Sequence, residues 1–345
     1  MRSSNLQVLP VVWKCYSRFE DTGTAEIILL TLDAKAVAKA LPYEQLIEAL
    51  KNAFSASIEV PQRAHYEVNV PNGAPGTLLL MPAWQPGSGM GVKIATVFPD
   101  NAKLGAPAVF ASYLLMSAET GVPVALLDGT ELTLRRTAAA SALASAYLSR
   151  KDAQTLLMVG TGNLAPHLVA AHASVRPIRE VCIWGRRPAA AKKLANTFSA
   201  AEFSVTIAES LADAARAADI ISCATLATES LIMGEWLSAG QHLDLVGAFK
   251  PDMCEADESA IVRAEVFVDT RAGALSEAGE IVQALQSEAI SEADIKGELS
   301  ELVSGKVSGR SNDDAITLFK SVGTALEDLA AAELVMKNSA PDICG

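Results

Sequence analysis

The sequence predicts an α/β protein with a doubly wound parallel sheet, joined to an α+β part with a mixed or antiparallel sheet. Three observations predict it. Short β-branched apolar runs alternate with Ala-rich helical periods from Thr155 to about Thr270. The first of those runs ends in a glycine turn, VGTGNLAPH. Upstream, strand-like runs follow one another with turn residues between them and no helical period.

Taken in order, YEQLIEALKNAFSA reads as an amphipathic helix, and YEVNV, TLLLMPAW and GVKIATVF as strands. ASYLLMSAETGVPVALLD reads as a hairpin turning at Glu-Thr-Gly. A helix from near Glu131, ELTLRRTAAASALASAYLSR, leads into the parallel part. There the expected strands are TLLMVG (155 to 160), VCIW (181 to 184), SVTIA (204 to 208), DIISCAT (219 to 225), LDLVGA (243 to 248) and VFVD (266 to 269). PAAAKKLANTFSA and ESLADAARAA supply connecting helices, and continuous apolar strands joined by helices imply a sheet covered on both faces. In DDAITLFKSVGTALEDLAAAELVMKN, Ile316, Phe319, Val322 and Leu326 recur at helical spacing, which predicts a helix packing back on the first part. The first twenty-odd residues read as a loosely ordered extension.

Composition bounds the partners. The chain has 345 residues, 40 acidic against 28 basic, for a formal charge of −12. Such a balance opposes sequence-independent binding to nucleic acid or anionic lipid. Cys15, Cys182, Cys223, Cys254 and Cys344 are scattered without C-x-x-C spacing and read as reduced thiols of a cytoplasmic protein. His65, His167, His172 and His242 form no H-x-x-x-H pair, so no metal site is expected. Lys14 and Arg18 interrupt the apolar start, so no export signal is read, and no uncharged run is long enough for a membrane span.

In the turn, Gly160 permits the bend, Gly162 admits a pyrophosphate close to the backbone, and Ala165 lets the helix approach the strand. The helix start adds unpaired N–H donors, a Rossmann arrangement for a dinucleotide. An acid normally ends the second strand and bonds the ribose 2′-hydroxyl. Here VCIW is followed by Gly185, Arg186 and Arg187. Two guanidinium groups suit a 2′-phosphate, so NADPH is the expected cofactor, with NADH possible as an alternative. The expected contacts are Gly160, Thr161, Gly162, Asn163, Leu164, Arg186 and Arg187, with Thr225 and Val246 from later strand runs.

The chain resembles the ornithine cyclodeaminase and mu-crystallin family. The stretches that carry the resemblance are MGVKIATVFPDN, ETGVPVALLDGTELTLRRTAAASALA, VGTGNLAPH, VGAFKPDMCEAD and GRSNDDAITLFKSVGTALEDLAAA. It implies a Rossmann domain, residues 146–305, inserted in a discontinuous substrate-binding and dimerisation domain, residues 1–145 plus 306–345. It also implies a homodimer, with the site in the cleft between the domains.

By the same resemblance, Arg63 and Arg136 hold a substrate carboxylate and Lys93 takes part in catalysis and substrate binding. Read alone, each arginine is a surface residue and a lone strand lysine is a solvated charge. For an imine reductase, Lys93 would donate to or orient the ring nitrogen. Its charge opposes a protonated imine unless the lysine gives up its proton more readily or the substrate carboxylate balances it. Cyclodeaminases of the family carry an Asp where GAFKPDM places Phe249, and a phenyl ring accepts no proton.

The expected activity is therefore NADPH-dependent reduction of Δ1-pyrroline-2-carboxylate or Δ1-piperideine-2-carboxylate to L-proline or L-pipecolate. Ornithine cyclodeaminase, alanine dehydrogenase and a non-catalytic NADPH-binding protein are the alternatives.

Overall fold

A computed structural model describes residues 29–343 together with the short strands Ser17–Phe19 and Ala25–Ile27. Most of the N-terminal extension, with Cys15 and Cys344, lies outside the described residues. Cys182, Cys223 and Cys254 are in no disulfide. The chain forms two compact units, one of Met1–Pro42, Ser57–Thr133 and Asp328–Gly345, the other of Tyr43–Ala56 and Leu134–Glu327. Among the described residues, no helix is long and apolar enough to cross a membrane.

The first unit is built on a six-stranded mixed sheet in the order Leu30–Leu32, Pro123–Asp128, Val109–Ser117, Gly89–Val97, Gly76–Trp84, Ala64–Val68. Only the first pair is parallel. The expected hairpin joins Val109–Ser117 to Pro123–Asp128, with Gly121 at φ 72° and the Ser117 hydroxyl accepting from the amides of Glu119 and Thr120. A positive φ explains the glycine.

In Gly89–Val97 the period-two pleat buries Gly89, Gly91, Lys93 and Ala95 on one face. The two glycines are spacers: a Cβ at Gly89 would fall on the Glu333 carboxylate and one at Gly91 on the Tyr113 hydroxyl. Asp128 then caps the helix Gly129–Leu148 by accepting from the amide of Glu131 at 2.7 Å.

The second unit carries eight parallel strands in the order Ser204–Ile207, Glu180–Trp184, Thr155–Val159, Ile220–Cys223, His242–Leu245, Thr317–Lys320, Glu265–Val268, Ile295–Glu298. The winding reverses between Thr155–Val159 and Ile220–Cys223, the switch point where such sheets bind ligands. Ala138 to Ala144 are buried without exception, so the small-residue run TAAASALA makes a helix that packs closely on all sides.

Two expectations change. Thr317–Lys320 is a strand, and the C-terminal helix starts only at Ala325. Its four residues are all buried between neighbouring strands, a run too short for periodicity to separate from helix. Lys320 disguised it, being a charge paired inside the core with Glu280 at 3.0 Å. For the same reason residues 306–327 fall with the parallel sheet rather than with the first unit, against the expected break at 305/306. The helix Tyr43–Ser55 also belongs to the second unit: Tyr43 bonds His167 at 2.8 Å and lies under the Arg135 guanidinium.

Asp244, in the fifth strand of that order, ties the second unit together. It accepts from Ser141 Oγ at 2.8 Å, Ser222 Oγ at 2.7 Å and His172 Nε2 at 3.2 Å. Burial lowers the neighbouring His242 to about 3, Asp244 opposing the shift and His172, Arg310 and Arg176 adding to it. A base depressed in the folded state stabilises above its unfolded value near 6.5, and that contribution drains as pH falls toward 3. Stability measured by urea melts should therefore drop by up to roughly 4–5 kcal/mol over this window, and His242→Gln should flatten the drop.

Candidate active site

The strand Thr155–Val159 ends at Gly160, which has φ 119° and whose Cβ would stand 2.5 Å from the Ala224 carbonyl oxygen. Only glycine serves there. At Gly162 nothing lies within 4 Å of where a Cβ would stand, so the backbone is open to a ligand. Ala165 is fully buried, and no side chain caps the helix Ala165–Val175, whose first amide, that of Ala165, donates to the Gly162 carbonyl at 3.2 Å while Pro166 has no N–H to give.

These residues open on a pocket of about 530 Å³ whose lining includes Gly160, Thr161, Gly162, Gly185, Arg186, Arg187 and Thr225. Arg186 and Arg187 are exposed and show no ion pair among the described residues, and Glu229 is the acid in the same lining. Asn163 lines an adjoining pocket with Arg187 and Lys193. Leu164 and Val246 line neither of the two; both pack in the apolar core beneath the turn. Gly185 has a steric reason as well as an electrostatic one, because a Cβ would stand 2.7 Å from Thr161 Cγ2.

Glu255 organises the rim. Its carboxylate accepts from the amide and hydroxyl of Thr225 at 2.6 and 2.8 Å and from the amide of Gly247 at 2.6 Å. It thereby pins the segments that follow two adjacent strands. Burial pushes its carboxyl up to about 7; Lys320, Thr225 and Gly247 oppose that rise and Glu280 adds to it.

The three expected substrate cations are placed by different elements. Lys93 is 3% exposed, and its Nζ lies 3.0 and 2.8 Å from the two carboxylate oxygens of Asp328. Arg136, 4% exposed, donates through Nη1 to Glu327. The loop beside it turns at Gly323, φ 78°, where a Cβ would fall on the guanidinium. Asp269 holds that loop by accepting from the amides of Val322 and Gly323 and the Ser321 hydroxyl. Arg63 is half-buried in the irregular segment just before the edge strand Ala64–Val68.

Sequence reasoning missed Asp328, Glu327 and Glu255. A signal existed for two of them: consecutive acids in TALEDLAAA stand in an otherwise apolar helix, where buried charge demands a partner. Glu255 in MCEAD resembles any loop acid.

The model of the ornithine cyclodeaminase/mu-crystallin family matches residues 29–341. A Delta(1)-pyrroline-2-carboxylate reductase of Colwellia psychrerythraea is 42% identical over 315 residues, covering 90% of this chain and 99% of that protein. Among solved structures, Delta(1)-pyrroline-2-carboxylate reductase of Thermococcus litoralis, in complex with NADH and L-proline, superposes with a TM-score of 0.86 at 34% identity, covering 91% of this chain and 98% of the other. An archaeal alanine dehydrogenase dimer with bound NAD superposes with a TM-score of 0.84 at 30% identity, covering 91% and 97%.

Proposed function

Because the chain belongs to the ornithine cyclodeaminase/mu-crystallin family, we propose that it reduces a cyclic imino acid, Δ1-pyrroline-2-carboxylate or its six-membered homologue, to L-proline or L-pipecolate with NADPH as the preferred cofactor. The observation that carries the reading is Lys93, a lysine held by a carboxylate on the buried face of its strand, where a charge without a role would be costly.

The glycine turn fits a dinucleotide, since Gly162 leaves the backbone open and the following helix start is uncapped. Gly160, Thr161, Gly162 and Asn163 would hold the pyrophosphate, and Arg186 with Arg187 the 2′-phosphate. Leu164 and Val246 would support the turn from the core beneath, and Thr225, fixed by Glu255, would contact the cofactor. Bound there, a reduced nicotinamide would supply the hydride that C2 of the ring needs. That carbon is electrophilic when the ring nitrogen is protonated. Lys93 would orient the nitrogen and meet the carboxylate, and Arg63 and Arg136 would bind the carboxylate through paired donors. Phe249, 43% exposed, brings no proton acceptor to the position that cyclodeaminases give to Asp, which favours reduction over deamination.

The test is loss of NADPH and NADH absorbance with each cyclic imine and with pyruvate plus ammonia, beside ammonia release from ornithine. The expected result is fastest consumption of NADPH with a cyclic imine. Ammonia from ornithine without imine reduction would overturn it.

The assembly proposed is a homodimer. On the mixed sheet, alternation turns Leu80, Ile94 and Phe110 to the face opposite Lys93, and Ile94 and Phe110 remain 37% and 49% exposed. An apolar sheet face of this kind marks an interface, and the similar alanine dehydrogenase is described as a dimer. Ile94→Lys with Phe110→Asp should convert a dimer to a monomer in light scattering; an unchanged mass would place the interface elsewhere.

A further inference from the structure

We propose that Asp328 is the positioning and charge-balancing residue of Lys93, and that the pair adapts the site to a ligand whose ring nitrogen is positive; the proposal rests on the imino-acid reading above. Lys93 alone is an ammonium in a dry site, which would repel a protonated imine and welcome a simple anion. Asp328 changes that balance. Both its oxygens lie within 3.0 Å of Lys93 Nζ, and the two side chains are 0% and 4% exposed, so solvent screens the pair little. The carboxylate offsets the ammonium charge while holding the lysine donors in direction.

The surroundings reinforce this. Tyr113 is the direct cross-strand partner of Lys93 and shares its face. Its hydroxyl is buried with no hydrogen-bond partner among the described residues, and burial, with Asp328 and Glu333 adding, holds the phenol well above its ordinary value. It therefore stays neutral. Glu333, further along the C-terminal helix, receives a hydrogen bond from Ser88 Oγ at 3.3 Å, and its carboxyl is raised by burial. Asp328 is thus the group placed to cancel the lysine charge directly. It supplies the balance that otherwise falls to the substrate carboxylate, which leaves that carboxylate available to the arginines.

Two probes separate charge balance from mere support. L-proline carries a positive ring nitrogen and a carboxylate; pyrrole-2-carboxylate is a flat ring anion with a neutral nitrogen. Binding of each is measured by calorimetry to the full chain saturated with oxidised cofactor. Asp328→Asn should weaken L-proline by about tenfold or more while leaving pyrrole-2-carboxylate unchanged or tighter. Asp328→Glu, which keeps the charge and shifts it by one methylene, should retain the wild-type order of the two ligands while lowering kcat more than it alters KM. Equal weakening of both probes in Asp328→Asn, or reversal of their order in a folded Asp328→Glu, would overturn the proposal. Should Asp328→Asn fail to fold, the Asp328→Glu arm decides alone. Wild-type protein that binds neither probe would instead overturn the imino-acid reading on which the proposal stands.

Discussion

Lys93→Met is expected to lower turnover by about a thousandfold while changing cofactor affinity by less than about twofold, the signature of a residue that acts on the substrate in the transition state. The same change also takes from Asp328, a buried carboxylate, its ion pair with the lysine. Removing one partner of such a pair costs about 3–5 kcal/mol, so the variant should also melt early. Adding Asp328→Asn removes the carboxylate charge, and the double variant should regain much of the stability without regaining turnover. Stopped-flow reduction, cofactor titration and urea melts on the same three proteins separate the two effects. Parallel loss of turnover and cofactor affinity in Lys93→Met would mean that the lysine does not serve the substrate.

Replacing Arg186 and Arg187 together by Ala should weaken NADPH by about a hundredfold and NADH by no more than a few-fold, since charge-assisted bonds to a phosphate contribute about 1.5–3 kcal/mol each and NADH lacks that phosphate. Both arginines are exposed at the pocket, and neither has an ion pair to lose among the described residues, so folding should be unaffected. The similar structures described above hold NADH or NAD, which makes the comparison of the two cofactors the decisive measurement. Equal loss for both would reduce the pair to solvated surface residues. High salt should narrow the difference in the wild type as well, because this contact lies at the surface.

Most of the parallel sheet is legible in the sequence because its signals are local. VGTGNLAPH contains its own turn, its own close approach and its own helix start, and the strands around it are continuous apolar runs. The hairpin at Glu-Thr-Gly is legible for the same reason. Thr317–Lys320 is not, because its place between two strands distant in sequence is what makes it a strand, and its lysine is neutralised by Glu280 from another element. The unit boundaries move with it. Gly185 stands out in the sequence as the place of a missing acid, yet its second reason, the methyl of Thr161, is a contact between two turns that no spacing encodes.

By itself the sequence determined the fold class, the dinucleotide turn and the arginines that follow the second strand, since each depends on neighbouring residues and the backbone geometry they allow. Tertiary structure alone decided which charges are buried and what balances them: Lys93 on Asp328, Arg136 on Glu327, Thr225 and Gly247 on Glu255. The reason is that a charge's energy depends on how much water surrounds it and on the nearest opposite charge, and both are set by residues brought together from far along the chain.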